Sequence, residues 1–520
     1  MGVSRVKQRR WQLTGLAMAL AAAGVFQSPK VLGQECPPVR LDKEFTSTGD
    51  CNTYAGVVLL PDGVLNNEGK ITNSALSPGS SVLVFDSTGM PGDLPKIDNR
   101  AGASLISDDL GGRGVSVFSE MDAITNSGTI TGGAAAIFNT AKPPNYRGSI
   151  KSLTNNGTLN GGTAGSIDND GTITTLTNEV DGTINGVVDN KNGGVIGNFT
   201  NEGTLNGAEF DEFGLTAIFN TGRIDELTNE TTGKIDGKIY FRPSLDSIRL
   251  FTNKGEITGV LLVNGVGSQP SLLNQSDASI RTDTVNVSVI EVTNAANTLV
   301  SNAGVIASRL VDTHPYATGS YGVTLAGGSD TLNNRVGGII GGDTAGVQVG
   351  NAVGDGSQAS ITNSGTIEGT SYGVLVRSGS RVNEFTNNAD AVISGGNIAI
   401  FNMGTITTLT NKVGAEIKDA VIAGDVVTFT NEGLIDGAVE LGTADLDIAG
   451  DSGRITGAVT GTGTVNVNGS FTTDAGSEPV KEWLKSLPAI ERKVIGEDIK
   501  TVQLGWPLGM PMVRNLGDSI

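Results

Sequence analysis

The feature that most constrains this chain is a phrase it repeats. Ile361-Thr362-Asn363-Ser364-Gly365-Thr366-Ile367-Glu368-Gly369 recurs with small edits, starting at Ile124, Leu153, Phe199, Phe251 and Phe429. The shared pattern is apolar-x-Asn-x-Gly-x-apolar-x-Gly. It predicts a strand end, a tight turn in left-handed backbone, then a new strand. Glycine takes positive φ without steric cost, and asparagine tolerates it better than most residues. A chain that repeats this phrase so often is an array of stacked units, not a pocketed globule.

Many phrases come in pairs nine residues apart: Asn169 and Asn178, Asn220 and Asn229, Asn402 and Asn411. A larger step of 20 or 21 residues separates Asn169 from Asn190, Asn253 from Asn274, Asn274 from Asn294 and Asn411 from Asn431. Short strands of three to five residues in a cycle of about 20 residues describe one coil of a parallel β-helix. The expected fold is all-β: a single-stranded, right-handed parallel β-helix (a solenoid) of about 20 coils. Ile, Leu, Val and Phe point inward, and Thr, Asn, Asp, Glu and Lys point outward. Stacking places each turn asparagine over the last, where amides can hydrogen-bond as a ladder. Asn126, Gly128, Asn155, Gly157, Asn201, Gly203, Asn363, Gly365, Asn431 and Gly433 are therefore read as structural turn residues. A leucine-rich repeat shares the period but is excluded, because the L-x-x-L-x-L framework and a helix in the cycle are both missing.

With 75 glycines in 520 residues and only 17% charged residues, the chain is too glycine-rich for an ordinary enzyme, while 38% hydrophobic content is too high for disorder. A β-helix reconciles the two, since many small turns surround one continuous core. Residues 1–33 read as a secretory signal peptide, with Arg5, Lys7, Arg9 and Arg10 before an apolar run from Leu13 to Phe26. The expected location is therefore export to the periplasm, cell surface or medium, with no membrane span in the mature chain. Taking the five basic residues of that segment from the total of 35 leaves 30 against 54 acidic residues, a net of −24. Such a charge argues against nucleic acid as a partner. Cys36 and Cys51 are the only cysteines. In an oxidising compartment they close a short loop, worth on the order of 3 kcal/mol, that clamps an N-terminal cap at 34–56. Their spacing offers no redox or zinc motif.

The array itself is expected over 57–475, loose up to about Glu120, with Ala141 to Ser152 thrown out as a loop. A signal peptide followed by an acidic Gly/Asn/Thr-rich array of such phrases resembles the passenger domains of bacterial autotransporters. The likeness covers roughly residues 55–475 and implies a surface scaffold or adhesin that meets host or neighbouring-cell ligands or polysaccharide. After Gly476 the composition changes. Val480, Trp483, Leu484 and Leu487 share one helical face, and Ile490, Val494 and Ile495 another, divided at Pro488. This mostly helical tail, 476–520, resembles the front half of RelE/HigB-type toxins of toxin–antitoxin modules, whose catalytic positions would lie beyond it. The resemblance implies a passenger gene fused to, or interrupted by, a toxin-gene fragment that is inactive as truncated.

Parallel β-helices also host polysaccharide-active enzymes, which need convergent carboxylates on one face. The candidates are Asp108-Asp109 near Arg113, and His314 near Asp312 and Tyr316. The first pair precedes Gly111-Gly112 and reads as a turn; a lone histidine beside Pro315 reads as incidental. Gly327 to Leu332 is similar to a calcium-binding nonapeptide, but one copy cannot build that stacked site. The expectation is no catalytic residue, no cofactor and no metal, with polysaccharide-active chemistry as the alternative.

Overall fold

A computed structural model describes residues 40–468, apart from 53–55, 74–80, 86–92, 108, 143–145, 243–246, 266–268, 295–296, 310–314, 352–355 and 451. The signal-peptide segment, Cys36 and the expected helical tail lie outside the described residues. So do Asp108, Asp312 and His314.

The chain winds as a parallel β-helix whose coils have three faces. In one coil, Ile167–Asn169 lies on the first face, Thr172–Asn178 on the second and Thr183–Asn185 on the third. The next coil repeats them as Val188–Asn190, Val195–Asn201 and Thr204–Asn206, each paired parallel and in register with its predecessor. Asparagines nine residues apart are thus the ends of the first and second faces of one coil. Among the described residues the second face stacks 18 strands, from Glu44–Ser47 to Val465–Asn468. The first and third faces form one further sheet, because Val392–Asn402 and Glu416–Ile422 run across the corner between them.

The core is a set of side-chain columns. On the second face Leu153, Leu176, Phe199, Leu227 and Phe251 lie on successive coils, all at most 1% exposed. On the third, Leu159, Ile184, Leu205, Ile235 and Ile257 do the same. Burying each such side chain stabilises by roughly 1.5–3 kcal/mol. The repetition of one apolar residue type at one position therefore sets the register of every coil.

Several expectations need correction. Among the described residues the coils number 18, and the second-face asparagines stand 20 to 32 residues apart. Asn294 is not a coil-to-coil successor of Asn274. The successor is Asn302, while Asn294 sits outside and donates to Asn264. Within the segment expected as a cap, residues 40–52 already form a coil, paired with Val58–Leu59, Val64–Asn67 and Ile71–Thr72. Cys51 fills a core position of the third face there, 4% exposed and disulfide-bonded. The excursion predicted over Ala141 to Ser152 is shorter: Ala141–Lys142 and Tyr146–Arg147 pair antiparallel, and Ser149–Asn155 already belongs to the second face.

The reason for the glycines also changes. None of Gly128, Gly157, Gly203, Gly365 and Gly433 has a positive φ. A Cβ on Gly203 would instead lie 2.2 Å from the Gly182 carbonyl oxygen and 2.3 Å from that of Glu179. At Gly365 it would meet the Gly338 carbonyl at 2.2 Å. Glycine is fixed by the approach of the preceding coil, not by the handedness of the turn.

Candidate functional site

Two kinds of polar structure run along the solenoid, one inside and one outside. The inner one is the asparagine column at the end of the second face. Fifteen asparagines, from Asn67 through Asn126, Asn155, Asn201 and Asn363 to Asn431, are joined by Nδ2-to-Oδ1 hydrogen bonds of 2.7–2.9 Å. All are at most 4% exposed. Each amide also donates to backbone: Asn201 Nδ2 reaches the carbonyls of Gly203 at 3.2 Å and Lys234 at 3.3 Å. A shorter column, Asn139–Asn169–Asn190–Asn220, closes the first face at 2.6–2.7 Å. These side chains are consumed in stacking, since a buried amide left unpaired would cost about 1–3 kcal/mol.

The outer structure is the middle position of the first face. By alternation it points away from the core, yet it is not lined with the expected small polar residues. Reading coil by coil it holds Ser116, Phe138, Asp168, Asp189, Phe219, Tyr240, Leu262, Glu291, Thr324, Gln348, Leu375 and Phe401. Most are buried because neighbouring segments fold over them. The turn Asp211–Phe213 brings Phe213 to 4.8 Å from the Phe219 ring, and Phe210 stands at 5.2 Å.

Asp168 and Asp189 share one cation: Lys191 Nζ is 2.7 Å from Asp168 Oδ1 and 3.8 Å from Asp189 Oδ2. Burial pushes both carboxyls up, that of Asp189 to about 7, with Lys191 pulling the other way. Arg113, placed by sequence beside Asp108-Asp109, instead has its guanidinium over the Phe138 ring at 3.5 Å, where Asp168 acts on it. Asp109 makes a turn, its carbonyl accepting the Gly112 amide at 2.8 Å.

A pH dependence follows. An unfolded aspartate titrates near 3.9, so a folded value of about 7 means that the native state binds more protons between those limits. Stability therefore rises as pH falls from about 7 toward 4. Asp330, raised to about 6 by burial, acts in the same sense. The melting temperature at pH 5 is expected to exceed that at pH 8, and Asp189→Asn to remove a large part of the difference, on the order of 2–4 kcal/mol. An unchanged slope in the variant would show that Asp189 is not its source.

Tyr316 packs against the third face. Its hydroxyl donates to Glu368, its ring sits 4.4 Å from the Arg309 guanidinium, and Gly341 leaves the space it occupies. The nonapeptide-like Gly327 to Leu332 runs into a second-face strand, Ser329–Asn334, where buried Asp330 accepts the Thr298 amide at 3.0 Å. No group of three metal-ligating side chains occurs among the described residues, and no helix among them is long and apolar enough to cross a membrane.

Further along the first face an open groove of about 310 Å³ is lined by Lys238, Leu262, Glu291, Tyr321, Gln348 and Arg377 among others. Arg377 donates to Gln348 Oε1 at 3.1 and 3.2 Å and to the Tyr321 hydroxyl at 3.2 Å. A larger depression, about 500 Å³, follows the turns Thr231–Lys234, Lys254–Glu256 and Gln275–Ser279. It is the exposed corner between the second and third faces and brings no buried polar side chain to a ligand. Sequence reasoning missed Asp168, Asp189, Glu291 and Gln348. The available signal was the middle residue of Ile137-Phe138-Asn139, Ile218-Phe219-Asn220 and Ile400-Phe401-Asn402, where an aromatic occupies an outward position. No family model, curated protein or solved structure matches this chain.

Proposed function

We propose that this chain is an exported, extended β-helix acting as a surface scaffold or adhesin of the autotransporter-passenger kind, without catalytic chemistry of its own. One observation supports this above others: the buried polar side chains are spent on coil-to-coil cohesion, as in the 15-asparagine column, over a body 18 coils long. At about 4.8 Å per coil that body extends roughly 80 Å, a length suited to presenting a surface at a distance.

The adjacent carboxylates of Asp168 and Asp189 favour a second reading, a polysaccharide-active enzyme. Lys191 and burial at 2% and 5% exposure hold them away from a substrate. Displaying the chain on a non-adherent bacterium separates the two. Adhesion to cells or immobilised polysaccharide with no new reducing ends supports the scaffold, whereas polysaccharide turnover abolished by Asp189→Asn would establish the enzyme.

A further inference from the structure

The groove on the first face holds two polar groups that the protein itself leaves unused. Glu291 stands on its floor, and its carboxylate has no hydrogen-bond or ion-pair partner among the described residues; burial alone raises its pKa. Gln348 lies two coils further along the same column, 4% exposed. Its Oε1 accepts both Arg377 donors, which fixes the amide orientation, and its Nε2 donates to no described group. Between them Thr324 is occupied by Ser288, the hydroxyls 2.7 Å apart.

The floor thus offers a free acceptor and a free donor about 10 Å apart along the axis. Tyr321 stands in the wall and the Phe213–Phe219–Tyr240 cluster just beyond one end, with ring centroids 4.8–5.6 Å apart. The cations do not tip the groove toward an anion. Lys238 Nζ donates to the Phe213 carbonyl at 2.8 Å, and Arg377 is engaged by Gln348 and Tyr321. An anionic polymer would also meet the Glu291 carboxylate and a chain of net charge −19. Hydroxyl groups both donate and accept, and sugar rings present flat C–H faces to aromatic side chains.

We propose that this groove binds a linear stretch of neutral oligosaccharide laid along the helix axis, with Glu291 accepting from, and Gln348 donating to, its hydroxyls. The inference rests on the scaffold reading and gives it a ligand class. A pair of charges is not needed to hold such a chain, and the floor supplies one free carboxylate, enough for recognition and short of the two that hydrolysis uses.

The test is calorimetric titration of the full chain with cellohexaose, maltohexaose and mannohexaose, beside an oligogalacturonate and a branched protein-linked glycan, the last arm distinguishing free polysaccharide from glycoprotein as the source. Glu291→Leu and Gln348→Leu are the variants. Glu291→Leu removes no bond of the fold, so it is expected to melt at or above the parent temperature and serves as the folded control. Gln348→Leu also takes the Oε1 acceptor from Arg377, so Gln348→Glu, which keeps that acceptor and loses only the donor, accompanies it. The expected result is binding of at least one neutral hexasaccharide, weakened tenfold or more by each variant. Absence of neutral binding, binding of the oligogalacturonate alone, or neutral binding indifferent to Glu291→Leu overturns the inference. Adhesion by the displayed chain without oligosaccharide binding would remove the groove and leave the scaffold standing. Release of reducing ends from a bound hexasaccharide would keep the groove and end the non-catalytic reading.

Discussion

Replacing Asn201 by leucine is expected to cost roughly 2–4 kcal/mol, although leucine is close in volume and more apolar. The substitution strips four hydrogen bonds at once. Asn178 Nδ2 loses its 2.8 Å acceptor, Asn229 Oδ1 its 2.7 Å donor, and the carbonyls of Gly203 and Lys234 their side-chain donor. Three of these bonds are buried and the one to Lys234 is partly so, and solvent replaces them poorly. Asn201→Asp is expected to be worse, since a carboxylate cannot donate to Asn229 and would be buried as an uncompensated charge. The last rung gives the internal comparison. Asn431 donates only to the Arg454 carbonyl, and Ile448 occupies its position on the next coil. Asn431→Leu breaks two bonds, the one accepted from Asn411 and the one donated to Arg454, and should cost about half as much. Chemical denaturation of the three variants measures this, and equal losses at 201 and 431 would show that the continuity of the column contributes nothing.

The second large effect concerns Gly203. Gly203→Ala is expected to destabilise by about 3 kcal/mol or more, beyond the usual range for an added methyl, because the obstacle is backbone. The new Cβ would face two carbonyl oxygens at 2.2 and 2.3 Å and the Asn178 amide nitrogen at 2.9 Å. Relief requires the coils to part, which would pull the asparagine column open at the same rung. Gly102 is the matched control: its φ of +81° is left-handed, and a Cβ there meets nothing within 4 Å. Alanine at 102 should cost only about 1 kcal/mol, the price of backbone strain alone. If 102 proves the more damaging site, conformational freedom and not close approach governs these glycines.

Much of the architecture was legible because a β-helix writes its period into its sequence. The phrase beginning at Phe199 carries the second-face core residue, the ladder asparagine, the close-approach glycine and the third-face core residue Leu205 in that order. What the phrase could not convey is which atoms each glycine approaches, since that depends on the coil before it, at a separation that varies with inserted loops. The same variability made Asn294 look like a successor of Asn274. The outer column was illegible for a different reason. Asp168 and Glu291 are ordinary surface residues by pattern, and only the folding of Lys191, the Asp211–Phe213 turn and Arg377 around that face gives them an unusual setting. Tyr316 shows the limit again, reaching Glu368 two coils away along the third face.

The uneven coil length has a mechanical consequence. Successive coils are tied by a column of equal bonds but contain unequal amounts of chain, 20 residues between Asn411 and Asn431 and 32 between Asn302 and Asn334. A pull along the axis would meet similar resistance at each rung and then release about 70 Å of slack at one and about 110 Å at another. A tethered body of this kind lengthens under load in irregular steps while the coils still stacked keep their shape, so a bond formed at one point along it can be spared the full force applied at its end.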